Sequence, residues 1–359
     1  MLSSFLLVVW LRLEYVVDLH EDIGYYYATG GHDGFPVEDF SIDFPNRHGD
    51  IPKYFKAGVR LVFASIFPLM PSFNPNLSKL VWGGYEMKPL PFVNSPRAVR
   101  ENVMEQIKIY HRLIAFHPEL EPVSEKGDVD RLSSGGKIGF LIALEGAEAL
   151  DEPGDLELFY RLGVRSLQLT WNYDVKYGSS CMSVKDYGLT GFGEALVEEA
   201  NRLGVILDIS HAGEKTSLEL IEASKLPVIA SHANVKAVKN HVRNLSDRVL
   251  EALYAKNGLI GFTLIPSTIS DNPTIKDLVK HVRYVYENYG SKILALGTDY
   301  FGLIATKPPK GLEDISKLNN LWNALAEAGL SDEALKDMAY RNALRVVKTH
   351  EENWRRLKP

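Results

Sequence analysis

The chain has 359 residues, of which 45% are hydrophobic and 24% charged, with a formal net charge of −6. This balance excludes a disordered chain and a basic nucleic-acid-binding surface, and no apolar run approaches the roughly 20 residues of a membrane span. A single cysteine, Cys181, excludes an internal disulfide and fits a reducing, cytoplasmic setting.

The first 14 residues read as an N-terminal extension. Their apolar run begins at Phe5 but has no basic residue before it and no small-residue cleavage site after it, so a secretion signal is the poorer reading. Eight strand-length apolar runs follow, at 16–20, 59–66, 138–145, 164–171, 205–211, 228–232, 259–265 and 293–299. Between them lie segments with apolar residues three and four apart, such as 97–116, 192–203 and 246–256. Continuous apolar runs mark strands buried on both faces, which a parallel sheet with helical crossovers requires. Eight such units predict a single (β/α)8 TIM-type barrel over 1–359, with an open doubly wound sheet as the alternative. Two stretches interrupt the alternation, 68–96 and 174–188, and read as loop insertions that serve either as lids and binding loops or as plain surface excursions.

The chemistry gathers at the carboxyl ends of these runs. His20 and Asp22 close the first, Glu145 the third, His211 the fifth, His232 the sixth and Asp299 the eighth. His20 and Asp22 are two apart, so on a strand they share one face, and imidazole nitrogen with carboxylate oxygen is what a divalent transition metal accepts. In a barrel all these ends open on one mouth, where two imidazoles and two or three carboxylates suffice for a two-metal site. Taken singly each has an ordinary explanation: a buried hydrogen-bonded histidine, or a capping carboxylate at Glu145 or Asp299. Their coincidence at one mouth argues otherwise. Four other histidines, His111, His117, His281 and His350, lie in or beside helical patterns, and His32 and His48 lie in an early loop; none is given a role.

Several short segments, in this order and spacing, carry a resemblance. They are Asp18-Leu19-His20-Glu21-Asp22, Leu144-Glu145-Gly146, the run from Gly163 through Thr170-Trp171-Asn172, and Gly188-Leu189-Thr190-Gly191-Phe192-Gly193. Asp208-Ile209-Ser210-His211, Ala230-Ser231-His232, Arg243-Asn244-Leu245-Ser246-Asp247 and Gly297-Thr298-Asp299 continue it. The chain thereby resembles the renal (membrane) dipeptidases, metallopeptidase family M19 of the amidohydrolase-like barrels. The resemblance implies two Zn2+ ions per chain, one on His20 and Asp22 and the other on His211 and His232, bridged by Glu145. It also implies that Arg243 holds the substrate carboxylate, that Asp299 handles the proton of a metal-bridging hydroxide, and that a homodimer is plausible.

Two positions depart from the family pattern. Trp171 stands where the family commonly has a histidine thought to stabilise the developing oxyanion, so an indole N–H either partly replaces that donor or reshapes the substrate pocket. Phe301 in Tyr300-Phe301-Gly302 replaces an aspartate and puts local substrate contacts in doubt. The leading expectation is a dinuclear zinc hydrolase cleaving the amide bond of dipeptides or close analogues. The alternatives are a related amidohydrolase acting on another carboxylate-bearing amide or a lactone, and a metal-holding binding protein without turnover. Retention of Asp299 speaks against the last.

Overall fold

In a computed structural model that describes residues 13–31, 37–68, 96–303 and 306–354, the apolar runs become nine parallel strands. These are β1 (Val16–Glu21), β2 (Val59–Ile66), β3 (Leu120–Pro122), β4 (Ile138–Leu144), β5 (Val164–Gln168), β6 (Ile206–Asp208), β7 (Ile229–Ala233), β8 (Leu259–Phe262) and β9 (Leu294–Leu296). Eight close on one another in the order β1-β2-β4-β5-β6-β7-β8-β9, with β9 returning to β1 through the Asp18–Leu296 pairing. This is the expected closed eight-stranded barrel with helices between strands. The unexpected strand is β3, which takes the first part of a β4 edge, Leu120 opposite Ile138, before β5 takes the rest, Ile142 opposite Val164. Every residue of β4 is buried, as a strand covered on both faces must be.

The helices begin and end where their sequences signal it. Thr190 caps the helix Gly191–Leu203 by accepting from the Gly193 N–H, and Gly204 ends it in the left-handed conformation at φ 73°. Thr274 and Asp277 form a reciprocal capping box on the helix Ile275–Tyr289. No helix among the described residues is long and apolar enough to cross a membrane.

Four strands stop three residues short of the apolar runs that announced them. The runs through 171, 211, 265 and 299 yield strands ending at Gln168, Asp208, Phe262 and Leu296. Two of these overruns pass through left-handed residues, His211 at φ 68° and Asp299 at φ 64°, and a ladder cannot continue through that conformation. The proposed insertion at 68–96 and most of the N-terminal extension lie outside the described residues. The 174–188 excursion is fixed by its own carboxylates. Asp174 accepts from the Ser180 N–H and the Ser183 hydroxyl, and Asp186 from the N–H groups of Gly188 and Lys215 and from the Thr216 hydroxyl.

Candidate active site

Two buried aspartates, Asp18 and Asp208, lock the barrel mouth. Asp18, inside β1, accepts from the His20 N–H at 3.2 Å and, across the β1–β9 seam, from the Thr298 N–H at 2.9 Å and hydroxyl at 2.6 Å. Asp208, at the end of β6, accepts from the Ser210 N–H at 2.8 Å and from the Ser231 N–H of β7 at 3.0 Å. Each carboxylate thus ties a histidine-bearing strand end to its neighbour. Further bonds run from the Asp299 N–H to the His20 carbonyl and from the Asp22 N–H to the Tyr300 carbonyl.

On this frame the six residues expected at the strand ends come together. Glu145 divides its carboxylate between two groups. Its Oε1 lies 3.1 Å from His211 Nε2 and 3.6 Å from His232 Nε2, while Oε2 lies 3.7 Å from His20 Nε2. His20 Nε2 is 3.5 Å from Asp22 Oδ2 and 3.7 Å from Asp299 Oδ1. His20 belongs to two triads of metal-ligating type, one with Glu145 and His232 and the other with Asp22 and Asp299. Its ring lies over that of His232, centroids 3.9 Å apart. The cluster is therefore tighter than a sorting into separate pairs of ligands suggests. Asp22 is placed otherwise than the shared-face argument supposed. It lies past the end of β1 as the N-cap of the helix Ile23–Ala28, with no side-chain capping bond, so its carboxylate is left for the cluster.

The hydrogen bonds behind the ring fix which nitrogens face inward. The amide oxygen of Asn172 takes the proton of His211 Nδ1 at 2.6 Å, and the Ser231 hydroxyl bonds His232 Nδ1 at 2.8 Å. His211 Nε2 and His232 Nε2 then face each other at 2.9 Å, with Glu145 Oε1 beside both. His20 Nε2 and Asp22 Oδ1 are buried without a hydrogen-bond partner. Acceptor atoms so close need a proton or a cation among them. Ligand atoms about 2.0–2.1 Å from a tetrahedral ion stand about 3.3 Å apart, and the separations of 2.9–3.7 Å fit that spacing. The donor set therefore suits divalent metal.

Electrostatics agree with that fit. Burial opposes charging of His20, yet Asp22, Glu145 and Asp299 outweigh it and push its pKa up to about 10. Burial and Asp22 raise Glu145 well above the usual carboxylate range and push Asp299 up to about 8. Burial, with Arg243 and His20 adding to it, drives His211 and His232 well below the ordinary histidine value. Without a cation the cluster favours protonated carboxyls at Glu145 and Asp299, a charged His20 and neutral rings at His211 and His232; bound cations would ionise the carboxyls, discharge His20 and use the rings already neutral.

The metal-type cluster opens into a cavity of about 310 Å³. Its apolar lining is Phe67, Trp171, Met182, Ile265 and Leu303. Trp171 packs against Phe67 with centroids 4.9 Å apart and against Tyr173 at 5.7 Å, and its ring is 6.1 Å from that of His211. Gln106 clamps Phe67 by bonding both its N–H and its carbonyl. Its polar lining includes Arg243, His241, Ser267 and Thr268. Arg243 is 6% exposed, donates to the His232 carbonyl at 3.2 Å and has no ion-pair partner among the described residues. Phe301 is not where the sequence comparison put it. It is fully buried, packed on Tyr26 and His48, and its N–H donates to His48 Nδ1, so it does not line the cavity. Gly302 does, and a Cβ there would overlap Asp22 Oδ2 and lie 2.7 Å from Asp299 Oδ1.

Sequence reasoning passed over Asn172, Ser231, Asp18, Asp208 and His241. Ser231, Asp18 and Asp208 lie within three residues of a candidate metal ligand and Asn172 follows the candidate Trp171, and that proximity was the available signal. His241 lies in a loop with no periodicity to mark it. His48, His281 and His350 bond backbone groups outside the cluster.

A metal-accepting cluster at the carboxyl end of a closed parallel barrel defines the class, a barrel hydrolase built for divalent metal. The model of the membrane dipeptidases, peptidase family M19, matches residues 11–358, and the chain belongs to that family. Among curated relatives, Dipeptidase verJ of Clonostachys rogersoniana is 32% identical over 345 residues, covering 94% of this chain and 84% of its own length. Dipeptidase 3 of Rattus norvegicus is 33% identical over 283 residues, covering 76% of this chain and 56% of its own length. The metallopeptidase of Rhodobacter sphaeroides, solved with a phosphinate mimic of L-Ala-D-Ala, has the same fold at a TM-score of 0.78 and 22% identity, over 93% of this chain and 99% of its own. The probable dipeptidase PvdM of Pseudomonas aeruginosa superposes at a TM-score of 0.79 and 18% identity, over 95% and 96%.

Proposed function

We propose that the chain is a dinuclear metal-dependent hydrolase, zinc being the first choice of metal, that cleaves the amide bond of dipeptides or close analogues. The observation that carries this is the division of Glu145 between His20 on one side and His211 with His232 on the other, facing a cavity that also holds the Arg243 guanidinium, which has no ion-pair partner among the described residues. His20, Asp22, Glu145, His211 and His232 would hold the ions. Such ions supply Lewis acidity, polarising the amide carbonyl and making a water acidic enough to attack near neutral pH.

This chain's own side chains do the rest. Arg243, desolvated and without an ion-pair partner among the described residues, binds the substrate carboxylate, since a buried planar guanidinium needs an anion and pairs with one bidentately. Asp299, made more basic by burial and by Asp22, takes the proton of the attacking water and passes it to the leaving amine. Asn172 keeps His211 in one tautomer and orientation, and Ser231 holds the orientation of the His232 ring. Protein reconstituted with zinc should hold two ions per chain and hydrolyse members of a dipeptide panel, with His232→Ala abolishing the activity. Two ions per chain with no turnover of any L,L or L,D dipeptide would overturn the dipeptidase reading.

One observation favours a second reading, a related amidohydrolase for another carboxylate-bearing amide or a lactone. Trp171 occupies the cavity wall beside His211 with bulk and only a single N–H to offer. A parallel screen of N-acyl amino acids and lactones separates the two.

A further inference from the structure

The cavity holds a second donor beside Arg243. His241 lines the same cavity, and its Nδ1 accepts the backbone N–H of Arg243 at 3.2 Å. That bond places the proton of the neutral ring on Nε2, which has no hydrogen-bond partner among the described residues. Burial, with Arg243 and Lys239 adding to it, lowers the pKa of His241 to about 4, so the ring is a neutral donor at physiological pH. The loop that carries both residues is pinned. The Asn244 side chain donates to the carbonyls of Lys239 at 2.9 Å and Thr268 at 2.8 Å, and the Lys236 and Leu245 N–H groups bond the Leu245 and Asn234 carbonyls.

We propose that His241 is a substrate-binding residue whose Nε2–H donates to the carboxylate held by Arg243, giving that carboxylate one charged and one neutral donor. The inference rests on the reading of the cavity as the site of a carboxylate-bearing amide. A guanidinium fork alone satisfies a carboxylate along one edge and leaves lone pairs on the other, and a fixed neutral donor meets one of them without adding charge next to the metal-binding cluster. Because the loop is anchored before the substrate arrives, little freedom is lost when the bond forms.

The competing role, a merely structural acceptor for the Arg243 N–H, is separable by substitution. In His241→Asn the side-chain oxygen reaches the position of Nδ1 and keeps that bond while removing Nε2. In His241→Gln the amide nitrogen reaches the position of Nε2. With the zinc-loaded enzyme and the best-cleaved member of a dipeptide panel, His241→Asn should raise KM about tenfold, as loss of a hydrogen bond to a charged group does, with kcat within about twofold of the wild type. His241→Gln should recover most of the loss, and the same dipeptide as its C-terminal amide should show little difference among the three proteins. Thermal midpoints of the variants confirm that they are folded. Wild-type behaviour of His241→Asn, or an equal rise of KM on acid and amide substrates, would overturn the proposal while leaving the dipeptidase reading in place. Failure of the wild type on every carboxylate-bearing amide would overturn both.

Discussion

Asn172 offers the sharpest check on how the cluster is held, because its removal should be read in metal affinity before any substrate is added. Its amide oxygen accepts from His211 Nδ1 at 2.6 Å, and Asn172 and His211 are 9% and 6% exposed. In Asn172→Ala the ring faces two unfavourable choices. It keeps its proton on Nδ1 and buries an unsatisfied donor, at a cost of about 1–3 kcal/mol. Or it moves the proton to Nε2, which then points at Glu145 Oε1 and His232 Nε2, 3.1 and 2.9 Å away, and the nitrogen is lost as a ligand. Either way the affinity for one of two ions should fall by about 10–100-fold, the usual effect of losing such an orienting bond. Titration of the metal-free protein with zinc against a chromogenic chelator measures this directly. One equivalent should weaken, the other should change little, and Asn172→Asp, which restores an acceptor, should recover the loss. Two equivalents bound within about twofold of wild-type affinity in Asn172→Ala would refute the argument that this bond fixes the tautomer.

Three further predictions follow from other parts of the site and fold. Gly302→Ala should cost about 10²-fold in turnover, because the added methyl overlaps Asp22 Oδ2 and crowds Asp299 and displacements near 1 Å at reacting groups have that effect. Steady-state kinetics with metal content measured on the same sample tests it, and wild-type rates would show that the two carboxylates yield freely. Trp171→His should raise dipeptide turnover by up to about 10²–10³-fold if the histidine supplies a missing oxyanion donor; unchanged kcat with dipeptides would show that Trp171 is not the limiting change. His281 is fully buried, accepts the Val235 N–H on Nδ1 and has its pKa lowered by burial. A histidine held neutral in the fold contributes stability that is fully present above about pH 6.5 and is lost as pH falls toward its depressed folded value, by up to about 1.4 kcal/mol per pH unit. Denaturant melts at pH 7.5 and 5.5 should show that extra acid loss in the wild type and not in His281→Asn.

The barrel and the cluster differ in how far the sequence discloses them. Eight apolar runs announce eight barrel strands because burial on both faces demands unbroken Val, Ile and Leu, and that demand is written residue by residue. The strand β3 is not announced, since three residues, Leu120–Pro122, are too few to carry a period. His20, Glu145, His211 and His232 are legible because each follows its run directly. Asn172, Ser231 and His241 are not, because an orienting hydrogen bond leaves no pattern in a chain and exists only once two strand ends stand side by side. Phe301 is the opposite case: a changed residue near Asp299 puts substrate contacts in doubt on sequence alone, and the backbone at φ 68° turns that side chain into the core against Tyr26 and His48.

Left-handed backbone at His211 and Asp299 explains why strand assignment fails where the chemistry begins. A residue with a side chain at positive φ costs about 1–3 kcal/mol, and one such residue sits just past each of β6 and β9. Extended backbone would have carried alternate side chains away from the barrel axis, whereas the turn brings His211 against Glu145 and Asp299 against His20. The strain is offset close by. Asp208 holds the residue before His211 and the adjoining end of β7, and Asp18 holds the residue before Asp299 across the β1–β9 seam. Removing the brace should therefore release the strain: Asp18→Asn keeps the shape but weakens acceptance from Thr298 and His20, and zinc affinity should fall with stability in the same variant. A loss of stability with zinc affinity unchanged would mean that the seam bonds hold the barrel shut without aiming the cluster.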